Sequence, residues 1–309
     1  MNRHLTGLIA AVYTPMHADG SLNLAMVPAV VDHLAASGVS GLFVCGSTGE
    51  GVSLTGQERR AVAEAYVRAA RGRLPAIVQV GHNSLAEARQ LAEHARHAGA
   101  RAVSAIPPSY FKITSVAVLV DCMAEIAGAA ADIPFYYYHI PSLTGVTLDM
   151  AEFLEQASPR LANLAGVKFT APALDEFQAC LELAQGRFDV LWGLDEMLLA
   201  ALAVGARGAV GSTYNIAAPL YRRLIGALEA GRLEDARRCQ SMAVELIRIL
   251  NRRPFHSAVK AVLKMLGMDC GPCRLPIAPV RPEDAGALRR ELDGIGFFKW
   301  SRPESAERR

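Results

Sequence analysis

The chain has 309 residues, 51% of them hydrophobic and 20% charged, with a formal net charge of +2. That fits a soluble globular protein with a sizeable core, built as one large α/β barrel or as two medium domains. With no basic patch interleaved with aromatics and no block of like charge, it points to neither nucleic acid nor an anionic membrane as partner.

The N-terminal stretch "MNRHLTGLIAAVYTPM" contains one apolar run, 8–13, too short for a membrane span and without a secretory cleavage pattern. The expected location is therefore the cytosol. From there the chain alternates. Short β-branched apolar runs recur at 7–15, 41–46, 76–81, 102–107, 134–139, 164–169, 189–193 and 208–212. Ala-rich amphipathic segments such as "TGQERRAVAEAYVRAARG" and "LAEARQLAEHARHAGA" lie between them. The runs are almost continuously apolar, as in a parallel sheet covered on both faces. Eight such units predict a (β/α)8 TIM barrel over 1–228. An open doubly wound sheet is the rival, but it normally uses fewer strands, and no G-x-G-x-x-G follows the first run. Three further helical patterns predict an all-helical C-terminal extension over 229–300, packed on the barrel. The tail 301–309 reads as disordered.

Of the six cysteines, Cys45, Cys122, Cys180 and Cys239 fall among apolar segments and read as buried thiols. Cys270 and Cys273 form a C-x-x-C. A redox pair of that kind follows a strand and opens a helix, whereas this one follows a helical pattern and leads into a loop. No further ligands at zinc spacing lie near, so neither a metal nor a redox role is expected.

Barrel enzymes build their sites on the loops at the C-terminal ends of the strands. The polar residues there are Ser47, Thr48 and Glu50 in "GSTGEG", Tyr138, Lys168 with Thr170, Asp195 with Glu196, and Ser212. Lys168 interrupts the apolar run "LAGVKF". At neutral pH only about one ordinary lysine in 2,500 is the free amine. Burial lowers that pKa, and a neutral amine in a pocket attacks a ketone to form a Schiff base. The apolar neighbours of Lys168 are expected to supply the desolvation. The plain alternative is a lysine that snorkels to solvent or pairs with an acid.

The glycines of "GSTGEG" allow close backbone approach, and its donors suit a carboxylate or phosphate; it serves equally well as an ordinary capped turn. Alternation puts Tyr136 and Tyr138 on one face and Tyr137 on the other. A phenol beside a Schiff base can move a proton; a packed aromatic is the alternative. Asp195 and Glu196 read as helix-start acids, as polyol acceptors, or as both.

Four motifs in order, "GSTGE", "YYYHIPSLTGV", "GVKFT" and "WGLDEMLLAALAVGARGAVGSTYN", resemble the N-acetylneuraminate lyase group of the dihydrodipicolinate synthase superfamily. The likeness runs from "GLIAAVYTPM" to "GPCRLP". It implies a class I aldolase on a (β/α)8 barrel, usually tetrameric, working without metal or organic cofactor on a 2-oxo acid. It implies Lys168 as the Schiff-base lysine and Tyr138 as the catalytic tyrosine. Ser47 and Thr48 match the carboxylate-binding pair. Thr170, Gly193, Asp195, Glu196 and Ser212 match positions that hold the sugar chain, and Tyr110 matches an aromatic lent to a neighbouring subunit's site. Dihydrodipicolinate synthases carry an arginine shortly after the tyrosine, where this chain has Leu143. A 2-keto-3-deoxy sugar acid aldolase or dehydratase is the second reading, and a barrel that binds ligand without turnover is the third. His139, where some bacterial relatives have a small polar residue, reads as structural.

Overall fold

The computed structural model of the chain describes residues 4–302. Its eight strands are β1 (Gly7–Ala11), β2 (Gly41–Val44), β3 (Ala76–Gln79), β4 (Ala102–Ala105), β5 (Phe135–His139), β6 (Leu164–Phe169), β7 (Asp189–Trp192) and β8 (Gly208–Gly211). Each pairs in parallel with its sequence neighbours, and β1 pairs with β8, so the sheet closes into the expected barrel. Several strands stop short of their apolar runs, because the last apolar residues of those runs already form the rim loops.

Period-two alternation sorts the strand residues into two layers. Ile9, Ala11, Phe43, Ile77, Tyr136, Tyr138, Leu191 and Val210 fill the barrel interior. Leu8, Val44, Val103, Tyr137, Val167, Phe169 and Trp192 face the surrounding helices. In that outer layer the rings of Phe169 and Trp192 stack 6.2 Å apart, and Phe177 meets Trp192 edge-on at 4.9 Å. Each such fully buried side chain stabilises the fold by roughly 1.5–3 kcal/mol. At the N-terminal end, Tyr136 donates to Asp189 Oδ2 at 2.7 Å, and the Leu5 amide donates to the same oxygen at 2.8 Å.

The helices around the barrel are α1 (Val27–Ala36), α2 (Gly56–Ala70), α3 (Leu85–Ala98), α4 (Val116–Gly128), α5 (Pro141–Thr144), α6 (Met150–Ala157), α7 (Leu174–Glu182), α8 (Leu198–Ala203) and α9 (Tyr214–Glu229). Thr55, Ser84, Ser115 and Asp149 accept an orphan amide at the starts of α2, α3, α4 and α6. After them come α10 (Leu233–Leu250), α11 (Phe255–Met265), α12 (Pro282–Gly294) and a short α13 (Phe297–Trp300). Helices α10 and α11 pack on α9, and α12 packs on α10. Among the described residues no helix is long and apolar enough to cross a membrane.

Three expectations need correction. Ser301, expected to open a disordered tail, is buried and its amide bonds to Phe297 O at 2.9 Å; residues 303–309 lie outside the described residues. Cys122 and Cys239 are only partly buried, each packed at the edge of the core. Val167 and Phe169 do not desolvate Lys168. The alternation that points the amine inward points them outward, and the apolar surroundings of Lys168 come from other strands.

Candidate active site

Strand register begins the site. Tyr138 on β5 and Lys168 on β6 are direct partners, so both side chains enter the barrel side by side. The Lys168 ammonium nitrogen lies 3.7 Å from the centroid of the Tyr138 ring and 4.1 Å from that of Phe43, which meets Tyr138 edge-on. Lys168 is buried, and no carboxylate reaches it within ion-pair distance among the described residues. Burial pushes its pKa below the ordinary lysine value; the neighbouring phenol and Asp195 oppose that shift without reversing it. Aromatic faces give a cation some return but hydrate it poorly, so the free-amine form gains ground.

The loop after β2 faces this pair. Ser47 Oγ lies 3.4 Å from the Tyr138 hydroxyl, and Thr48 Oγ1 lies 2.6 Å from Ser212 Oγ on the loop after β8. The loop is tightly made. Cys45 and Glu50 both adopt positive φ (59° and 56°), a conformation of sparse population for residues with side chains. Between them the turn closes on itself by Glu50 N–H to Ser47 O and Gly51 N–H to Gly46 O. A Cβ on Gly51 would collide with the Cys45 carbonyl. Glu50 itself turns away from the cavity. Its carboxylate is buried and takes Lys260 Nζ of α11 at 2.8 Å and the Arg274 amide at 2.7 Å.

On the far side, Asp195 lies beneath the start of α9. Its Oδ2 accepts from the Thr213 amide at 2.8 Å and the Thr213 hydroxyl at 2.6 Å. Burial pushes this carboxyl up to about 6, against the lowering effect of those two bonds. Glu196 is exposed at the rim. Thr170 Oγ1 is buried without a partner among the described residues, beside Gly193, where any Cβ would strike it.

All nine own-chain positions, Ser47, Thr48, Tyr138, Lys168, Thr170, Gly193, Asp195, Glu196 and Ser212, line one cavity of about 500 Å³. Tyr110 does not join them; it is 78% exposed, packed edge-on against Phe111 outside the cavity. His139 faces the outer layer between Tyr137 and Phe169, and burial pushes its pKa down to about 4. Cys270 and Cys273 are free thiols in the loop after α11, with burial raising both to about 11. The cavity also has a wall that sequence reading missed: Ile247 and Asn251 at the end of α10, Phe255 and His256 at the start of α11. The one signal for it was the break "NRRP" between two helical patterns, which turns the chain back toward the barrel mouth.

Fold and cavity together define a class: a (β/α)8 barrel with a lone desolvated lysine on the floor of a hydroxyl-rich cleft at the C-terminal mouth. A family profile described as the dihydrodipicolinate synthetase family matches residues 4–294, and the chain belongs to that family. It is 40% identical over 295 residues to N-acetylneuraminate lyase of Xenopus tropicalis, covering 94% of this chain and 96% of that one. Among solved structures, the N-acetylneuraminate lyase (sialic acid aldolase) of Aliivibrio salmonicida superposes with a TM-score of 0.94 at 40% identity, over 97% of this chain and 99% of that one. That of Proteus mirabilis does so with a TM-score of 0.93 at 39% identity, over 95% and 99%.

Proposed function

We propose that the chain is a class I aldolase that cleaves N-acetylneuraminate to N-acetylmannosamine and pyruvate. The observation that carries this reading is the Lys168 amine: buried, unpaired with any acid, pushed toward its neutral form, and stacked on the phenol partner that its strand register provides. The neutral amine adds to the C2 ketone of the open-chain substrate, and loss of water leaves an iminium. The C4 hydroxyl gives up its proton through Tyr138, the C3–C4 bond breaks, and its electron pair moves into the iminium as an enamine. N-acetylmannosamine departs as the aldehyde. Protonation at C3 and addition of water then release pyruvate and the free lysine. Ser47 and Thr48 hold the substrate carboxylate, which orients the ketone against the amine. Thr170, Glu196 and Ser212 take sugar hydroxyls. Asp195 acts chiefly by fixing Thr213 and the loop that carries Ser212, since its Oδ2 is already committed there.

The choice among substrates is supported by charge. Among the described residues Lys168 is the one lysine or arginine lining the cavity, so a second carboxylate finds no cationic partner from them. Leu143, at the position expected of an arginine in dihydrodipicolinate synthases, is 66% exposed at the rim. The exposed Tyr110–Phe111 pair suits a role for Tyr110 in the site of a second copy. A homotetramer in the cytosol completes the reading.

Borohydride reduction in the presence of pyruvate tests it. A covalent adduct at Lys168 in the wild type, absent from Lys168→Ala, is expected. A panel of 2-oxo acids with pyruvate release as readout then separates N-acetylneuraminate from shorter 2-keto-3-deoxy sugar acids. Wild-type protein that traps no pyruvate sinks the mechanism.

A further inference from the structure

Two polar side chains of the cavity wall, Asn251 and His256, have no part in that reaction, and His256 is the one with a buried partner. His256 sits in the first turn of α11, half-buried, with Nδ1 3.2 Å from the Tyr13 hydroxyl. Tyr13 follows β1 and is fully buried; burial holds its phenol well above the ordinary value, so it keeps its proton. Among the described residues, His256 Nδ1 is the sole hydrogen-bond partner of that hydroxyl. Leaving a buried O–H without an acceptor costs about 1–3 kcal/mol. The Tyr13 proton therefore points at Nδ1. A neutral imidazole that accepts at Nδ1 carries its own proton on Nε2. Burial lowers the pKa of His256 too, which keeps the ring neutral near pH 7.

The position of His256 decides what it can meet. The cavity floor is made by strand residues, Ala11, Tyr138, Lys168 and Val210. His256 belongs to the wall that α10 and α11 build outside the strand ends. Around the barrel, β7 and β8 separate β6, which carries Lys168, from β1, which leads into Tyr13. A chain whose ketone is fixed at Lys168 thus crosses the mouth toward this wall. The other polar groups offered along the way are the carboxylate of Glu196, the hydroxyls of Thr170 and Ser212, and the side-chain amide of Asn251. None of these is a fixed donor: a carboxylate only accepts, a hydroxyl rotates, and the exposed Asn251 amide has no partner among the described residues to hold it.

We propose that His256, locked by Tyr13 as its Nε2–H tautomer, is a specificity-determining residue that donates a hydrogen bond to a carbonyl or hydroxyl oxygen of the sugar acid remote from the ketone. The assignment rests on the aldolase reading. Its consequence is a preference for long sugar acids. A short one ends before the wall, leaving the fixed donor without an acceptor, and a site built to hydrogen-bond discriminates against the ligand that cannot.

The test compares kcat/KM for N-acetylneuraminate with that for a six-carbon 2-keto-3-deoxy sugar acid. In His256→Phe the ratio falls on the order of tenfold, mainly through KM for the long acid. His256→Asn, which restores an N–H donor, recovers part of it. Tyr13→Phe lowers the ratio about threefold, because freeing Nδ1 admits the other tautomer. Nitrogen-15 spectra of histidine-labelled protein show His256 as Nε2–H alone in the wild type and as a mixture in Tyr13→Phe. An unmoved ratio in His256→Phe, an equal loss on both acids, or an Nδ1–H signal in the wild type overturns the assignment. If the wild type still forms its borohydride-trapped pyruvate adduct in that case, only the role of His256 has failed; if it forms none, the aldolase reading has failed as well.

Discussion

Two lysines are buried in this molecule, and they do opposite things with their charge. Lys168 is 4% exposed and Lys260 is 3% exposed. Lys260 meets two strong acceptors: Glu50 Oε1 at 2.8 Å and the Pro272 carbonyl at 2.8 Å. Lys168 meets two aromatic faces. Burial alone therefore does not make an amine reactive. What matters is whether the surroundings repay the lost hydration of the cation, and only Lys168 is left short. The paired lysine builds the structure that the unpaired one uses, because its partner Glu50 belongs to the same tight loop as Ser47 and Thr48.

That contrast can be broken from either side. Replacing Lys168 with Met removes the nucleophile and also a poorly solvated charge. Turnover falls by on the order of 10⁴ or more, while the thermal midpoint stays level or rises; a lower midpoint in a melting curve would show that the ammonium is well accommodated after all. Lys260→Met works the other way. Leaving the Glu50 carboxylate buried without its counter-ion, held by the Arg274 amide alone, costs about 3–5 kcal/mol in a denaturant titration, and Glu50→Leu added to it restores most of the loss. Should the single variant melt like the wild type, the pair contributes little. Next in size, Tyr138→Phe keeps the ring beside the amine but removes the proton carrier. Steady-state kinetics should give a kcat lower by about 10²–10³, with pyruvate still trapped by borohydride at Lys168.

A buried base outside the site offers a third reference. His139 is held neutral, its pKa pushed from 6.5 down to about 4 by burial. The unfolded chain takes up the proton as pH falls below 6.5, while the folded chain does not, so stability is full above that value and declines toward pH 4. The loss reaches about 2 kcal/mol by pH 5. In His139→Asn the acid-side decline in denaturant midpoints shrinks accordingly. The smallest effect is expected at Thr170, whose buried hydroxyl has no partner in the fold. Thr170→Val leaves stability within about 0.5 kcal/mol, and KM for the sugar acid rises a few-fold in steady-state kinetics.

Eight strands and their terminal polar residues were legible because local period and turn chemistry encode them. Tyr138 and Lys168 were legible as residues, but their pairing depends on a register that includes an irregularity at 135–136 between β5 and β6. Phe43 escaped notice as the second ring over the amine, although alternation along β2 aims it inward. Val167 and Phe169 point outward for the same reason, as strand neighbours of an inward residue. Lys260 with Glu50, 210 residues apart, and His256 with Tyr13, 243 residues apart, carry no local signal at all. The packing of α11 against the barrel mouth makes those contacts.

The pairing of β1 with β8 joins Gly7 to Gly208, and nothing nearer in sequence can take the place of that seam. Contacts of such span form slowly, since a long loop must be ordered before it is rewarded. The wall from α10 and α11 docks against α9, which follows the seam, so the cavity is completed late in folding. A refolding chain therefore recovers helix content first and substrate binding last, and the interval between those two signals measures the time taken to close the ring.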